Sequence, residues 1–257
     1  MTDTHTHIYM PDVFPDYGVE AAGRAIEAGV TRMVFPCVNE NSLPAMRKLH
    51  EAFPRNTRLA LGLHPTDLEG DWRAQLDRME QMLPGDFAAI GEVGIDLYHD
   101  ASQRAEQREA FARQLRWAVK HSLPVIIHCR EGLDDTLEVL QELKNECELP
   151  QLIFHSFTGG PEEVRRIREV CDPLFGINGV VTFKNAPAVR EALPVIGLDR
   201  MLLETDAPWL SPAPLRGRTN ESARIPLIRD CIAATLGVSP EEVESRTDSA
   251  AYNLFFK

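Results

Sequence analysis

The sequence predicts an α/β fold of the (β/α)8 barrel type. Eight short apolar runs start 23 to 36 residues apart, and each interval has room for a strand, a helix and two loops. The runs are almost continuously apolar, as expected for parallel strands that are covered on both faces. Single barrel domains of about 250 residues are common, so we expect residues 1–257 to form one domain. A doubly wound open sheet is the alternative, but it usually has fewer strands.

The predicted strands end in polar or glycine-containing segments. In the first strand, alternation places Asp3, His5 and His7 on one face, with threonines on the other. In chain order, the eight predicted strands are 2–8, 32–39, 58–65, 88–96, 124–131, 151–158, 174–181 and 201–208.

Helical patterns occupy the intervals between the strands. The segment VEAAGRAIEAGV places Ala22, Ile26 and Val30 on one stripe. In PEEVRRIREVC, Pro161 stands at the expected first helical position. Another helix, NSLPAMRKLHEAF, has Asn41 or Ser42 as its expected N-cap. The other helical segments are QREAFARQLRWAVKHS and, after residue 220, IPLIRDCIAATLGV and SPEEVESRTDSAAYNLFF.

The charge balance argues against a general nucleic-acid binding surface. The chain has 39 acidic and 27 basic side chains, and its formal net charge is −12. Affinity for nucleic acid comes largely from lysine and arginine residues that neutralise phosphates. A nucleic-acid substrate would therefore need local positive charge, for example from metal ions.

The cysteines and the hydropathy pattern indicate a cytoplasmic protein. The five cysteines are scattered and form no C-x-x-C pair, which favours reduced thiols over a disulfide framework. No apolar run approaches the ~20 residues that a membrane-spanning helix needs. The first residues are polar and do not resemble a signal peptide. We therefore expect a cytoplasmic protein with no membrane partner.

Ionisable side chains stand at the carboxyl-terminal ends of six predicted strands, where the active site of a barrel lies. Burying so many of them without ions would be costly. Imidazole and carboxylate groups suit Zn²⁺, Mn²⁺ or Fe²⁺, and Mg²⁺ where oxygen atoms dominate. The pattern predicts a metal centre. The residues concerned are His5, His7, His64, Glu92, His128, His155, Glu204 and Asp206.

Two neighbouring residues need separate interpretation. A single histidine such as His64 is more often a hydrogen-bonded core residue than a functional one, so its role depends on the other residues. Cys129 follows His128 directly, and strand alternation points its thiol away from the barrel mouth. We interpret Cys129 as a packing residue.

The motifs DTHTH, GLHP, GEVGIDLY, PVIIHCRE, FHSFTG, NGVVTF and LLETDAPWL occur in this order. Together they resemble the TatD-type metal-dependent hydrolases, deoxyribonucleases of the amidohydrolase-like group of barrels. The resemblance continues through RGRTNE to AYNLF near the end of the chain, and it implies a TIM barrel of the metal-dependent hydrolase type. Two positions depart from the family pattern, namely Ser222, where many relatives have proline, and Asn178, where glycine is frequent. Both departures concern loops that line the substrate site.

The resemblance implies two divalent metal ions, which could be Zn²⁺, Mg²⁺ or Mn²⁺, with Glu92 shared between them. It assigns His5, His7, Glu92 and Asp206 to one ion and Glu92, His128 and His155 to the other. It also implies that the substrate is DNA or a small phosphodiester and that a metal-activated water attacks it. Two ions ~3.5–4 Å apart are typical of such sites.

Several roles follow from this resemblance. Asp206 is expected to accept the proton of the attacking water. Glu204, as a second catalytic candidate, has three open roles: orienting Asp206, binding a metal, or accepting a hydrogen bond from a histidine. His64, Arg130, Arg216 and Arg218 are candidates for substrate binding. For Arg130 the alternative is an ion pair with Glu131 or Asp134, and for the other arginines it is plain solvated charge.

Two other functional classes remain open at this stage. The same chemistry would suit an amidohydrolase, a lactonase or an aminoacyl-ester hydrolase, since a fold does not fix a function. A non-catalytic metal-binding scaffold is the third hypothesis, and the complete set of ligands argues against it. We expect the protein to be a monomer.

Overall fold

The computed structural model describes residues 1–257 and confirms the predicted barrel. The strands are β1 (Thr2–Asp3), β2 (Arg32–Pro36), β3 (Thr57–Leu61), β4 (Phe87–Asp96), β5 (Val125–Arg130), β6 (Leu152–Phe154), β7 (Leu174–Ile177) and β8 (Met201–Leu203). They form one sheet in chain order, and each pairs in parallel with the next. This order excludes the doubly wound alternative.

Backbone hydrogen bonds between the segments that follow β1 and β8 close the barrel. The Thr4 amide donates to the carbonyl of Leu203 at 3.0 Å, and the Asp206 amide donates to that of His5 at 2.9 Å. One residue pair further, the His7 amide donates to the carbonyl of Ala207 at 2.7 Å. The seam therefore places both N-terminal histidines beside Asp206.

Helices cover the outer face of the sheet. They are α1 (Val19–Glu27), α2 (Leu43–Ala52), α3 (Trp72–Glu80), α4 (Arg104–His121), α5 (Leu133–Glu146), α6 (Pro161–Val170), α7 (Pro187–Ile196), α8 (Ile225–Leu236) and α9 (Pro240–Phe255). The sequence patterns had not singled out α3, α5 and α7. Pro161 is the first residue of α6, as predicted. None of the helices has the length and apolar character to cross a bilayer.

The N-cap expected for α2 is only partly correct. Ser42 does precede the helix, but its side chain makes no capping hydrogen bond to α2. Asn39 instead caps a short 3₁₀ turn just before α2, and its side chain accepts from the Asn41 amide at 3.0 Å. The turn shifts the capping residue toward the N-terminus.

A second, smaller apolar cluster fills the barrel interior. It joins one inward residue from each of seven strands to the end of α9 and consists of Val34, Ala60, Ala89, Ile126, Ile153, Leu174, Leu202, Ala251, Phe255 and Phe256. Residues at the amino-terminal strand ends hold α9: Thr2 donates to Asp248 at 2.7 Å, and Arg58 stacks on Phe256. The last helix therefore closes the amino-terminal end of the barrel.

The first strand is shorter than predicted, and one expected alignment is wrong. The backbone bends at Thr4 and His5, directly after β1. The Asp3 carboxylate accepts from the hydroxyl and amide of Thr205, at 2.6 and 3.0 Å. Thr205 lies between the inward residues of the segment after β8, so Asp3 lies on the outer face and does not join the histidines.

Candidate metal centre

Four side chains from three parts of the barrel meet at the closing seam. The Nε2 atoms of His5 and His7 are 3.1 Å apart, and Oε2 of Glu92 lies 3.2 and 3.5 Å from them. Oδ1 of Asp206 lies 3.8 Å from His5 Nε2 and 3.9 Å from His7 Nε2. Ligand atoms around one tetrahedral ion with bonds of about 2.1 Å lie about 3.4 Å apart. These four atoms therefore have the spacing that a single ion requires.

The other oxygen of Glu92 faces a second group of imidazoles. Oε1 lies 2.6 Å from His155 Nε2, 2.7 Å from His128 Nδ1 and 3.4 Å from His64 Nε2. Glu92 thus presents one carboxylate oxygen to each group. This is the arrangement of a bridging ligand.

An irregularity in β4 aims the Glu92 side chain. The ladder between β4 and β5 shifts register between Ile90 and Val93. A β-bulge adds a residue to one strand and redirects its side chains, and bulges are common next to active sites. Regular alternation resumes at Val93, where β4 again pairs with β5.

Hydrogen bonding leaves the Nε2 lone pair of His7 free. The Tyr9 hydroxyl donates to the carbonyl of Pro36, and its oxygen lies 2.8 Å from His7 Nδ1. Since the hydroxyl proton is already engaged, we infer that Nδ1–H of His7 donates to Tyr9. The Nε2 atom that faces Glu92 and Asp206 is then unprotonated and able to bind a metal.

The Asp96 carboxylate fixes the His128 ring, as the Tyr9 hydroxyl fixes His7. His128 Nε2 lies 2.9 Å from Oδ2 of Asp96, so its N–H donates to that oxygen. The Nδ1 atom faces Glu92. Burial opposes the ionisation of Asp96, but hydrogen bonds from His128 and His99 hold its pKa well below the ordinary value. A charged Asp96 orients His128 and increases its basicity.

His64 has a different hydrogen-bonding pattern. The Thr66 amide donates to His64 Nδ1 at 3.2 Å, and the Thr66 hydroxyl lies 2.6 Å from the same nitrogen. Burial lowers the pKa of His64, and a neutral ring that accepts at Nδ1 carries its single proton on Nε2. That N–H points toward the second group of imidazoles. A protonated nitrogen does not bind a metal, but it can donate a hydrogen bond to a substrate oxygen.

Glu204 lies behind two of the candidate ligands. The rings of His5 and His155 stack in parallel with centroids 3.8 Å apart, and Oε1 of Glu204 lies 3.6 Å from His155 Nδ1. Gly176 makes room for this carboxylate, because a Cβ there would lie 2.0 Å from Oε2. Three buried atoms here have no hydrogen-bond partner, namely His5 Nδ1, His155 Nδ1 and Glu204 Oε2. One nitrogen or oxygen atom from each of these three side chains lies within 4.8 Å of the other two. The short distance to His155 favours the third of the roles considered for Glu204, that of accepting a hydrogen bond from a histidine.

Burial and mutual attraction set the charges of the centre. Burial alone would raise the pKa of Glu92, but the imidazoles of His155 and His5 hold it well below its ordinary value. Burial disfavours charge on His155, but Glu92 and Glu204 outweigh it and raise its pKa well above the ordinary value. Burial also raises the pKa of Asp206 to about 6.

The donor set fits divalent metal ions. Each half of the site offers two imidazoles and at least one carboxylate oxygen. Four of the six side chains are buried, and Asp206 and His128 are partly exposed. Unpaired polar atoms remain in the inner layer, and the Nε2 atoms of His5 and His7 lie 3.1 Å apart. A cation between the two rings could be bound by both nitrogens. Mixed imidazole and carboxylate ligands suit Zn²⁺ or Mn²⁺, whereas a site with oxygen ligands alone suits Mg²⁺.

The three candidate arginines lie at the mouth, outside the inner layer. Arg130 ends β5, and its guanidinium lies 3.8 Å from the ring centroid of Tyr98. The expected alternative partner Asp134 pairs with Arg166 instead. Arg216 stacks on Phe183 at 4.1 Å, and Arg218 is exposed in the same loop. The structure therefore places positive groups around the rim, and none of them contacts the inner layer of candidate ligands.

Sequence reasoning missed two functional residues, Tyr9 and Asp96. Both carried a detectable signal: Tyr9 continues the two-residue spacing of the N-terminal histidines, and Asp96 ends the strand that carries Glu92. Cys129 lies where alternation placed it, against Thr136 of α5.

Comparison with known proteins places these residues in a family. A family model described as TatD related DNase matches residues 2–256. The uncharacterized metal-dependent hydrolase YabD of Bacillus subtilis (strain 168) is 33% identical over 98% of both chains. The 3'-5' ssDNA/RNA exonuclease TatD of Cronobacter sakazakii (strain ATCC BAA-894) is 36% identical and aligns with 93% of this chain and 91% of its own.

The fold agrees with the sequence comparison. The crystal structure of YJJV, a TatD homolog from Escherichia coli K12, superposes with a TM-score of 0.88 at 27% identity and covers 99% of this chain and 97% of its own. The match over nearly the whole chain confirms the resemblance that the motifs indicated. The chain belongs to the family of TatD-related DNases.

Proposed function

We propose that this protein is a divalent-metal-dependent phosphodiesterase that hydrolyses nucleic acid, with DNA as its main substrate. The observation that carries the proposal is the position of Glu92, which offers one oxygen to each of two ligand groups. In this proposal two ions are bound, one by each group. The names of the nuclease relatives support the substrate class.

The proposed assignment of the inner residues follows the geometry. His5, His7, Glu92 and Asp206 would hold one ion, and Glu92, His128 and His155 would hold the other. Bound ions would supply positive charge against the phosphate and lower the pKa of water.

The remaining residues act on protons and on the substrate. Asp206 accepts the proton of the attacking water. Glu204 is a positioning residue that holds the rings of His5 and His155. His64 donates its Nε2–H to a phosphate oxygen. The arginines of the rim contact phosphates further along the strand.

A parallel substrate screen tests the proposed function. Protein reconstituted separately with Zn²⁺, Mn²⁺ and Mg²⁺ is assayed on DNA, RNA, lactones and amides. We expect turnover of nucleic acid with at least one metal. Turnover confined to lactones or amides would contradict the proposal and favour the alternative hydrolase class, and no turnover at all would favour a scaffold.

The substitution His64→Ala tests the tautomer argument. We expect a raised KM for DNA with both metal ions still bound, because Nε2 carries a proton and serves the substrate. Loss of one hydrogen bond to a charged group is worth about 1.5–3 kcal/mol, or roughly 10- to 150-fold in kcat/KM. Metal analysis and steady-state kinetics are done on the same preparation. Loss of one ion in the variant would show that His64 is a ligand.

Salt should weaken DNA binding only moderately, by about 16-fold between 50 and 200 mM, and digestion should be distributive. Few phosphate contacts are available outside the metal centre, and the chain carries a net charge of −12. Three arginine contacts on a single strand predict a slope of about −2 for log affinity against log salt. Binding titrations between 50 and 200 mM salt, repeated with Arg216→Ala, measure that slope. Processive digestion with a salt slope much steeper than −2 would mean that a basic channel exists elsewhere.

A further inference from the structure

Two aromatic side chains at the barrel mouth are exposed although the fold buries most others. Trp209 is 49% exposed, whereas the other two tryptophans, Trp72 and Trp117, are 6% and 2% exposed. Tyr98, in the turn after β4, is 56% exposed. Neither ring contributes to the apolar core. Both stand at the end of the barrel that carries the candidate metal centre.

The Trp209 ring is fixed beside that centre. The Trp209 amide donates to the carbonyl of Asp206 at 2.9 Å. Its ring meets the His7 imidazole in a T-shaped contact, with centroids 5.4 Å apart and an interplanar angle of 68°. These two contacts hold the indole next to a proposed ligand while about half of its surface faces solvent. Such a ring can receive another flat group at little entropic cost.

Tyr98 forms a second platform on the opposite side of the mouth. Arg130 lies 3.8 Å from the centroid of its ring, and His99 packs against it at an angle of 88°. In a closed sheet of eight strands in chain order, β4 lies opposite β8. The loops that carry Tyr98 and Trp209 therefore flank the metal centre from opposite sides.

Stacking suits this chain better than a basic groove does. The chain has a net charge of −12, so charge alone attracts polyphosphate poorly. Base–aromatic stacking needs no net charge and is independent of sequence, because every base has a π-face. In a duplex the base faces are already stacked and paired, and only a single strand can present them to exposed rings.

We propose that Trp209 and Tyr98 stack nucleobases on the two sides of the scissile phosphodiester and thereby select single-stranded nucleic acid. This inference rests on the proposed nuclease function. It names the side chains that would give this chain the single-strand preference stated in the names of its nuclease relatives. Arg130 supports the second platform by its contact with the Tyr98 ring.

The test compares Trp209→Ala and Tyr98→Ala on single-stranded and double-stranded oligonucleotides of the same sequence. We expect each substitution to raise KM for the single strand about 5- to 150-fold, which corresponds to ~1–3 kcal/mol per stacked base. The value of kcat should change much less, and Trp209→Phe should restore most of the affinity. The preference for single strands over duplex should fall in both alanine variants.

Tyr252 provides the matched control. It is 47% exposed on α9, where it faces Arg32 at the closed end of the barrel. Tyr252→Ala should leave KM and the strand preference unchanged. If both mouth variants behave like Tyr252→Ala, or lose single-strand and duplex turnover equally, the stacking proposal is wrong.

Fluorescence separates this proposal from the proposed function. Trp209 is the one exposed tryptophan of three, so a stacked base should quench part of the intrinsic emission. Metal-free wild-type protein is titrated with single-stranded DNA, and the quench should disappear in Trp209→Phe. A quench without hydrolysis would contradict the nuclease function but retain the stacking. Hydrolysis without any quench would contradict the stacking proposal but retain the nuclease function.

Discussion

Replacing Asp206 with asparagine should lower turnover of DNA by at least ~10²-fold while the barrel stays folded and its metal ions stay bound. The substitution keeps the volume nearly constant and leaves five other proposed ligands in place. It removes the carboxylate that, in the proposed mechanism, accepts the proton of the attacking water. General-base catalysis typically contributes 10²–10⁴-fold, and the loss should fall in this range or above it.

The backbone at Asp206 accepts the change. Its φ is 55°, in the left-handed region that asparagine and aspartate tolerate better than most residues. The amide that closes the barrel on His5 is also retained. Circular dichroism, metal analysis and steady-state kinetics on one preparation separate the loss of chemistry from a loss of fold or metal.

Cys129→Ser is the control for this prediction. The thiol lies against Thr136 on the helix side of β5, and burial raises its pKa to about 11, so it is an inert packing group at neutral pH. Whatever its effect on stability, the replacement should hardly change turnover per folded, metal-loaded molecule. If Asp206→Asn keeps wild-type turnover, Glu204 becomes the candidate base. If Cys129→Ser abolishes turnover in folded protein, the register of β5 and the role of His128 must be revised.

Metal loading should have the second large effect. We expect about two divalent ions per chain after chelation and reconstitution, because Glu92 faces two groups of ligands. At a free metal concentration 1,000 times Kd, one site contributes about 4 kcal/mol to the free energy of unfolding. For a chain of this size that corresponds to a rise in Tm of roughly 8–16 °C. Elemental analysis and thermal denaturation measure both quantities.

The affinity for metal should fall as the pH is lowered. The carboxylates around His128 and His155 outweigh burial and raise both pKa values, so these imidazoles are protonated in the metal-free protein near neutral pH. Binding must displace those protons, and the displacement becomes easier as pH rises. His121→Ala, on the far end of α4, should keep the full metal content. A content that stays below one per chain at saturating metal would contradict the two-metal proposal.

The barrel was predictable because its signals are repeated. The pattern of eight apolar runs at regular spacing is still recognisable when the ends of each run are misplaced by several residues. The extents were not predictable, and β6 and β8 have three residues each where eight were expected. The residues that follow these strands no longer pair with the neighbouring strands, and their side chains point into the mouth of the barrel. Where the pairing ends depends on contacts with segments that are distant in the sequence.

The candidate site was predictable as a set of residues but not as a set of orientations. The position of His128 at a strand end followed from its apolar run. Which of its nitrogens faces Glu92 depends on Asp96, and that partner is fixed only when β4 and β5 pair. The inward orientation of His5 likewise depends on a bend at Thr4 that no local sequence pattern predicts. The prediction from strand alternation that Asp3 shares a face with the histidines was therefore wrong.

The helix that seals the far end of the barrel limits how a polymer can move through the enzyme. Phe255 and Phe256 at the end of α9 pack against the interior residues of the strands and leave no second opening along the barrel axis. A nucleic-acid strand therefore cannot pass through the barrel, as it does through a ring-shaped or tunnel-containing enzyme. The strand has to enter at the mouth, and both products have to leave there. After each cut, dissociation of the shortened strand therefore competes with its rebinding at the same opening.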